Sequence, residues 1–297
     1  MSILPEPDTT PNSPADPVGT SLFTLYRDRW ILAVEKPRGL PCHPLSAQEL
    51  KDQPRGSVSA LVMESFPETR FQAPPGFPED LSARLELQGG LLHRLDNGTS
   101  GVLLFARSFE AWEGLRPIIQ GGQTGAEKIY VARCRDNATD SALPGIIDYP
   151  IAHRKNRGSG RMVAITPGTP ADRYRGRPRP ARTVILASRR VPEDKTTGAG
   201  TERYVLLSIS RGQRHQIRCH LAAAGFPLSG DPQYDPDLPH GGKAPGSPGD
   251  EGYYLHHWVI RFPHPHLNRR VEISSEPDLS EAPGHVIDFF KTRISQQ

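Results

Sequence analysis

The sequence is poor in several things that narrow what it can be. It has three cysteines in 297 residues, Cys42, Cys134 and Cys219. They are too few and too scattered for a disulfide framework or a four-ligand zinc site, so a reducing, cytoplasmic setting is expected. No stretch approaches the roughly 20 apolar residues of a membrane-crossing helix, so no membrane partner is expected. The first twenty residues hold Glu6, Asp8 and Asp16 but no Lys or Arg. They lack the positive start of a leader peptide and read as a disordered arm, residues 1–20, ahead of a single domain over 21–297.

Motifs for bound groups are also missing. There are eleven histidines, yet no H-E-x-x-H and no cysteine pair at ligand spacing. Gly121–Lys128 lacks the Gly-Lys-Ser/Thr of a phosphate-cradling loop, and Gly98-Thr99-Ser100-Gly101 lacks the residue between Ser and Gly that a nucleophile elbow needs. No metal and no organic cofactor is expected.

What the chain does have is charge in one place. Between Arg154 and Arg190 stand eleven Lys/Arg against one acid, Asp172; as the whole chain is at +3, the remainder is near −7. The stretch Arg173–Arg182 (RYRGRPRPAR) suits a loop that tracks a polyanion, because each phosphate neutralised releases counterions. By itself it reads equally well as a solvated basic loop.

Strand-like runs occur at Trp30–Glu35, Leu103–Phe105, Lys128–Cys134, Thr183–Ala187, Tyr204–Ile209 and Leu255–Phe262. Ser57 opens one helix, and Ser108 caps another that Pro117 disturbs. A third runs from His215 to Ala224, with Ile217 and Leu221 on one side and Gly225 as stop signal. Phe66–Gly90 reads as a long loop, and Asp235–Gly252 as a Pro/Gly-rich surface insertion. Strands with helices inserted predict an α+β fold around a mixed, mostly antiparallel sheet.

One carboxylate stands out, Asp96 in LLHRLDNGTSGVLLFA (Leu91–Ala106), a polar loop between apolar runs. Such a loop can present a side chain at the rim of a sheet. Taken alone, Asp96 is better explained as a turn residue bonded to the amide of Gly98 or Thr99. A second stretch, Arg211–Arg218, carries three cations at a helix start, with Arg214 and Arg218 spaced to share a helical face. A guanidinium there can grip a carboxylate or phosphates.

Four motifs taken together resemble the RluA-type pseudouridine synthases, over Arg27 to Glu276. They are Asp28–Pro44 (DRWILAVEKPRGLPCHP), the signature His93-Arg94-Leu95-Asp96-Asn97-Gly98-Thr99-Ser100-Gly101, Lys128-Ile129-Tyr130, and Gly212–Tyr234 (GQRHQIRCHLAAAGFPLSGDPQY). The resemblance implies that Asp96 is the catalytic carboxylate, Tyr130 stacks on the target base and Arg218 pairs with Asp96. Arg94 fills the space of the flipped nucleotide, and Leu228 lines the base pocket. It also implies a central cleft that holds Asp96 and a structured RNA partner, an rRNA or tRNA stem-loop; nothing in the sequence demands an obligate protein partner or more than a monomer. Arg94, Arg214, His215, Arg173, Arg175, Arg177 and Arg179 are the expected RNA contacts. Gln213-Arg214 stand where the family commonly has Arg-Thr, which exchanges a hydroxyl for a cation. Two rivals remain: a non-catalytic RNA-binding protein of the same fold, and a nucleosidase or glycosidase, for which no second carboxylate sits in a comparable loop.

Overall fold

The computed structural model describes residues 22–121, 125–136, 142–155, 160–191, 201–236, 252–279 and 284–296. The expected N-terminal arm lies outside them, as does most of the 235–252 insertion. The chain divides into two compact units: residues 1–126 with 259–276, and residues 127–258 with 277–297.

The first unit begins with β1 (Thr24–Arg27) and β2 (Ile31–Lys36) and continues through α1 (Ala47–Asp52), α2 (Val58–Ser65) and α3 (Glu79–Gln88) to β3 (Ser100–Ala106) and α4 (Phe109–Gln120). β2 pairs antiparallel with both β1 and β3. Nearly every residue of β2 and β3 is buried, so both faces are covered and the sequence shows apolar runs rather than alternation. The caps are the ones expected: Ser57 Oγ accepts from the Ala60 amide at 3.3 Å and Ser108 Oγ from the Ala111 amide at 3.1 Å. Pro117 does not end α4, which runs on to Gln120 with Ala111, Trp112, Leu115 and Ile119 on its buried stripe. These side chains share a core with Leu92, Leu104, Ile260 and Phe262. The predicted loop over Phe66–Gly90 is a correction: it holds a 3-10 turn and α3. Only Leu85 of α3 is buried, which is why no apolar stripe announced the helix.

The second unit holds β4 (Glu127–Arg135), β5 (Ile146–Ile147), β6 (Ile151–Arg154), β7 (Met162–Ala164), β8 (Tyr174–Arg179), β9 (Thr183–Val191), β10 (Glu202–Ile209) and α5 (Gln216–Ala223). β11 (Leu255–Pro263) passes from this unit into the first and there pairs antiparallel with β12 (Arg270–Ser274); α6 (Gly284–Ser295) belongs to the second unit. β4, β10, β9 and β5 lie side by side, antiparallel throughout, while β7, β6 and β8 make a separate three-stranded sheet. The expected class, α+β with a mostly antiparallel sheet, is the class observed.

Two further expectations need correcting. Arg173–Arg182 is not a loop: a 3-10 turn (Ala171–Arg173) leads into β8, which among the described residues is an edge strand paired only with β6. An edge strand can accept Pro178 because one side of it needs no donors. Gly176, at φ 75°, lies in a bulge where Ile151 and His153 of β6 face Arg179 and Arg175, two extra residues on β8. Nor do Arg214 and Arg218 share a helical face, since His215 is left-handed at φ 52° and α5 starts after it. The other end of α5 closes as predicted. Gly225 at φ 88° donates to the Ala222 carbonyl, and the Phe226 amide donates to that of Leu221.

Candidate active site

Asp96 sits in the first unit, half-buried, in the loop that enters β3. The loop is tied down from several sides. The Leu92 amide donates to the Leu104 carbonyl at 2.9 Å, and the Ala106 amide to the Gly90 carbonyl at 2.7 Å. A Cβ on Gly90 would stand 1.9 Å from the Ala106 oxygen, so glycine is obligatory at that crossing. The Cys42 thiol donates to the Leu95 carbonyl, and the Leu95 amide donates back to its Sγ, both at 3.2 Å. The turn that follows is closed by main chain, the Thr99 amide donating to the Asp96 carbonyl at 3.0 Å.

The strongest tie is Lys36, which sequence reasoning did not single out. It is fully buried at the end of β2, opposite Gly101 of β3. Its ammonium donates to the carbonyls of Pro37 (2.9 Å), Asn97 (2.9 Å) and Thr99 (2.7 Å). Three N–H bonds are thus spent on three carbonyls, two of them just beyond Asp96. Burial lowers its pKa to about 8, against the opposing pull of Cys42 and Asp96. The sequence signal was there, a lysine ending an apolar strand, where burial obliges it to find acceptors.

Arg94 is exposed, with one guanidinium nitrogen 3.4 Å from His43 Nε2. His93, by contrast, is buried and accepts from the Leu104 amide at 3.3 Å. The signature therefore alternates between residues that hold the loop and residues that face out of it.

Tyr130, Arg218 and Leu228 all belong to the second unit. Tyr130 is buried on β4 opposite Leu207, and its ring stacks on His257 of β11, 4.5 Å between centroids and 17° from parallel. Leu228 is fully buried and bridges to Cys134. Lys128, two residues before Tyr130, donates to the Ser210 carbonyl at 3.2 Å, and burial lowers its pKa to about 8.

Arg218 is buried within α5 and makes a bidentate ion pair with Asp231, Nε to Oδ2 at 2.8 Å and Nη2 to Oδ1 at 2.9 Å. Asp231 also accepts from the amides of Gln233 (2.9 Å) and Tyr234 (3.3 Å). The guanidinium lies over the rings of Tyr253 (4.5 Å) and Tyr234 (5.1 Å). Asp231 lies within the motif Gly212–Tyr234, but nothing in the sequence marks it as the partner of Arg218, because a charge partner thirteen residues away, beyond a helix end, has no periodic signal.

Of the expected RNA contacts, Arg173, Arg175, Arg177, Arg179 and Arg214 are exposed. His215 is buried, its Nδ1 3.1 Å from the Tyr234 hydroxyl. That hydroxyl also accepts from the Met162 amide at 2.8 Å, which ties the start of α5 to β7.

Residues 30–223 match the model of the RNA pseudouridylate synthase family. The chain belongs to this family, in its RluA-type branch. It is 30% identical over 205 residues to an uncharacterized RNA pseudouridine synthase of Chloroflexus aurantiacus, covering 69% of this chain and 52% of that one. To the ribosomal large subunit pseudouridine synthase D of Nitrosomonas europaea it is 27% identical over 245 residues, 82% of this chain and 59% of the relative. The chain thus spans little more than half the length of these two curated relatives. The solved human RNA pseudouridylate synthase domain containing 1 has the same fold, with a TM-score of 0.57 at 21% identity, over 89% of this chain and 86% of that chain. Among the described residues, no helix is long and apolar enough to cross a membrane.

The two buried lysines give a pH dependence of known sign. A lysine whose pKa is held near 8 in the fold and returns to about 10.5 on unfolding costs stability while it is charged; that cost is relieved as pH rises from 8 to 10.5. Loop geometry runs the other way, since a neutral Lys36 has two N–H groups for three carbonyls. Activity is therefore expected to decline above pH 8 while the lysine contribution to stability grows. Lys36→Met, which orphans the carbonyls at every pH, should cost on the order of 3 kcal/mol in urea unfolding. An unchanged denaturation midpoint would show that the three bonds contribute nothing.

Proposed function

We propose that this protein is a pseudouridine synthase that isomerises uridines in structured RNA, an rRNA or tRNA stem-loop, as a cytoplasmic monomer without metal or organic cofactor. The observation that carries the reading is the Asp96 loop, a complete family signature that a buried ammonium, a thiol and the end of β3 hold in one conformation. Nothing in an RNA-binding role alone demands a carboxylate held so firmly.

In this reading both units form one catalytic domain, which is supported by a family match that runs through both and by β11, which passes from one to the other. The reaction breaks the C1′–N1 bond, turns the uracil and rejoins it through C5, with C5 giving up a proton and N1 gaining one. Uridine first leaves its stack, at least cost from a loop. Ionised Asp96 attacks C1′ or takes a proton from the sugar, and Arg218 is its ion-pair partner. Tyr130 stacks on the ring as its hydrogen bonds change, with Leu228 against the base. Arg94 takes the vacated place in the helix. Arg173, Arg175, Arg177, Arg179 and Arg214 hold the RNA, and His215, buried against the Tyr234 hydroxyl, acts on it only by fixing the start of α5. The family match and the names of the bacterial relatives support the class of reaction and leave the target uridine open.

The test is direct. RNA from cells lacking the gene is incubated with the purified chain, and pseudouridines are mapped by base-specific chemistry. New pseudouridine at defined positions is expected; its absence from both rRNA and tRNA would sink the reading.

A further inference from the structure

Several arginines of the second unit have carboxylate partners. Arg182 pairs with Asp148, Arg190 and Arg203 with Asp136, Arg133 with Glu202, and Arg135 with Asp235. The three-stranded sheet is different. Among the described residues no carboxylate lies within ion-pair distance of Arg154, Arg175, Arg179 or Arg214. Uncompensated cations held close together repel one another, and a fold keeps such an arrangement where an anion is to be bound.

The cations have a centre. His153 on β6 faces Arg175 across the strand pair, and Arg179 faces Ile151 two residues earlier. The guanidinium of Arg175 is steadied by a bond from Nε to the Arg154 carbonyl at 3.4 Å, on the residue after His153. Arg214 reaches in from the turn before α5 and lies over Gly160, where a Cβ would come within 2.8 Å of its Nη2. Gly160 is itself at φ 60°, so both its backbone and its missing side chain admit Arg214. The bulge in β8 at Gly176 brings Arg175 and Arg179, four residues apart, opposite two neighbouring positions of β6.

We infer that His153, Arg175, Arg179 and Arg214 form one site for a phosphodiester of the RNA backbone, to which the imidazole adds a charge-assisted hydrogen bond when protonated. This deepens the reading of the protein as an RNA-modifying enzyme and rests on it. In the free protein, partial burial and then Arg175, Arg214 and Arg179 hold His153 below the ordinary imidazole range. The groups that act on it from β8 and from the turn before α5 are all cations. A phosphate among them reverses the field, so binding RNA takes up a proton, and acidification strengthens binding.

The experiment measures binding of a fluorescein-labelled RNA stem-loop to the full-length chain by anisotropy, across pH 5.5 to 7.5 and across salt concentration. Wild type is expected to bind about tenfold tighter at the acid end, as one charge-assisted hydrogen bond is gained. His153→Gln should lose this pH response. Replacing Arg175, Arg179 and Arg214 together by Ala should lower the slope of log K against log salt by about 2 to 3, one contact's worth for each cation. Gly160→Ala, which displaces Arg214 alone, should lower it by about 1. A pH response that persists in His153→Gln, or a salt slope unchanged in the triple variant, would overturn the site and leave a solvated basic face only. All four residues lie away from Asp96 in the chain, and pseudouridine formation by wild type is scored separately. A failed site with active enzyme, and an intact site on a chain that makes no pseudouridine, are therefore distinguishable results.

Discussion

Asp96→Asn is expected to abolish pseudouridine formation while RNA binding is retained. The amide has the shape of the carboxylate but is neither a nucleophile at C1′ nor a base, and removal of such a group from other enzymes costs on the order of 10⁴-fold or more. The loop itself should survive. Its ties run through the carbonyls of Leu95, Asn97 and Thr99 and the main chain of Asp96, none of which the substitution touches. Stability should then change by less than about 1 kcal/mol, which separates lost chemistry from lost fold. Activity within tenfold of wild type in this variant would mean that another group does the chemistry.

The second large effect concerns Asp231. Its carboxylate is fully buried against the guanidinium of Arg218, itself 5% exposed. Asp231→Ala removes that bidentate partner from a buried charge, which costs about 3–5 kcal/mol, or on the order of 10 °C in Tm for a chain of this size. The paired change Arg218→Met with Asp231→Leu removes both charges. It should recover much of the stability, because two desolvated ions are exchanged for apolar packing, yet it should remain inactive, since Asp96 then lacks its proposed partner. Thermal unfolding and a pseudouridine assay on the same three proteins check both halves. If Asp231→Ala melts within about 2 °C of wild type, the pair adds little to the fold.

Much of this architecture could be read from local rules. Ser57, Ser108 and Gly225 end their helices as expected, because caps and left-handed stops depend on a few neighbouring residues. β2, β3, β4 and β10 were visible as apolar runs, because central strands are covered on both faces. Elements without such a face went unseen. α3 buries only Leu85, and β8 carries a bulge, a proline and a row of exposed arginines. In both, tertiary context supplies the order that composition argues against.

The sequence by itself determined the family and the loop that carries Asp96, and it singled out Tyr130 and Arg218 as candidates, because these depend on which residues stand in which order. Only the tertiary structure decided what each is held by. Lys36 is an ammonium spent on the loop after Asp96, Arg218 is clamped by Asp231, Tyr130 lies against His257, and the arginines of Tyr174–Arg179 stand on a bulged strand paired with the strand of His153. The reason is physical. A side chain's covalent nature is local, but its partners are chosen when strands far apart in sequence pair in register and exclude water, and no spacing along the chain encodes that choice.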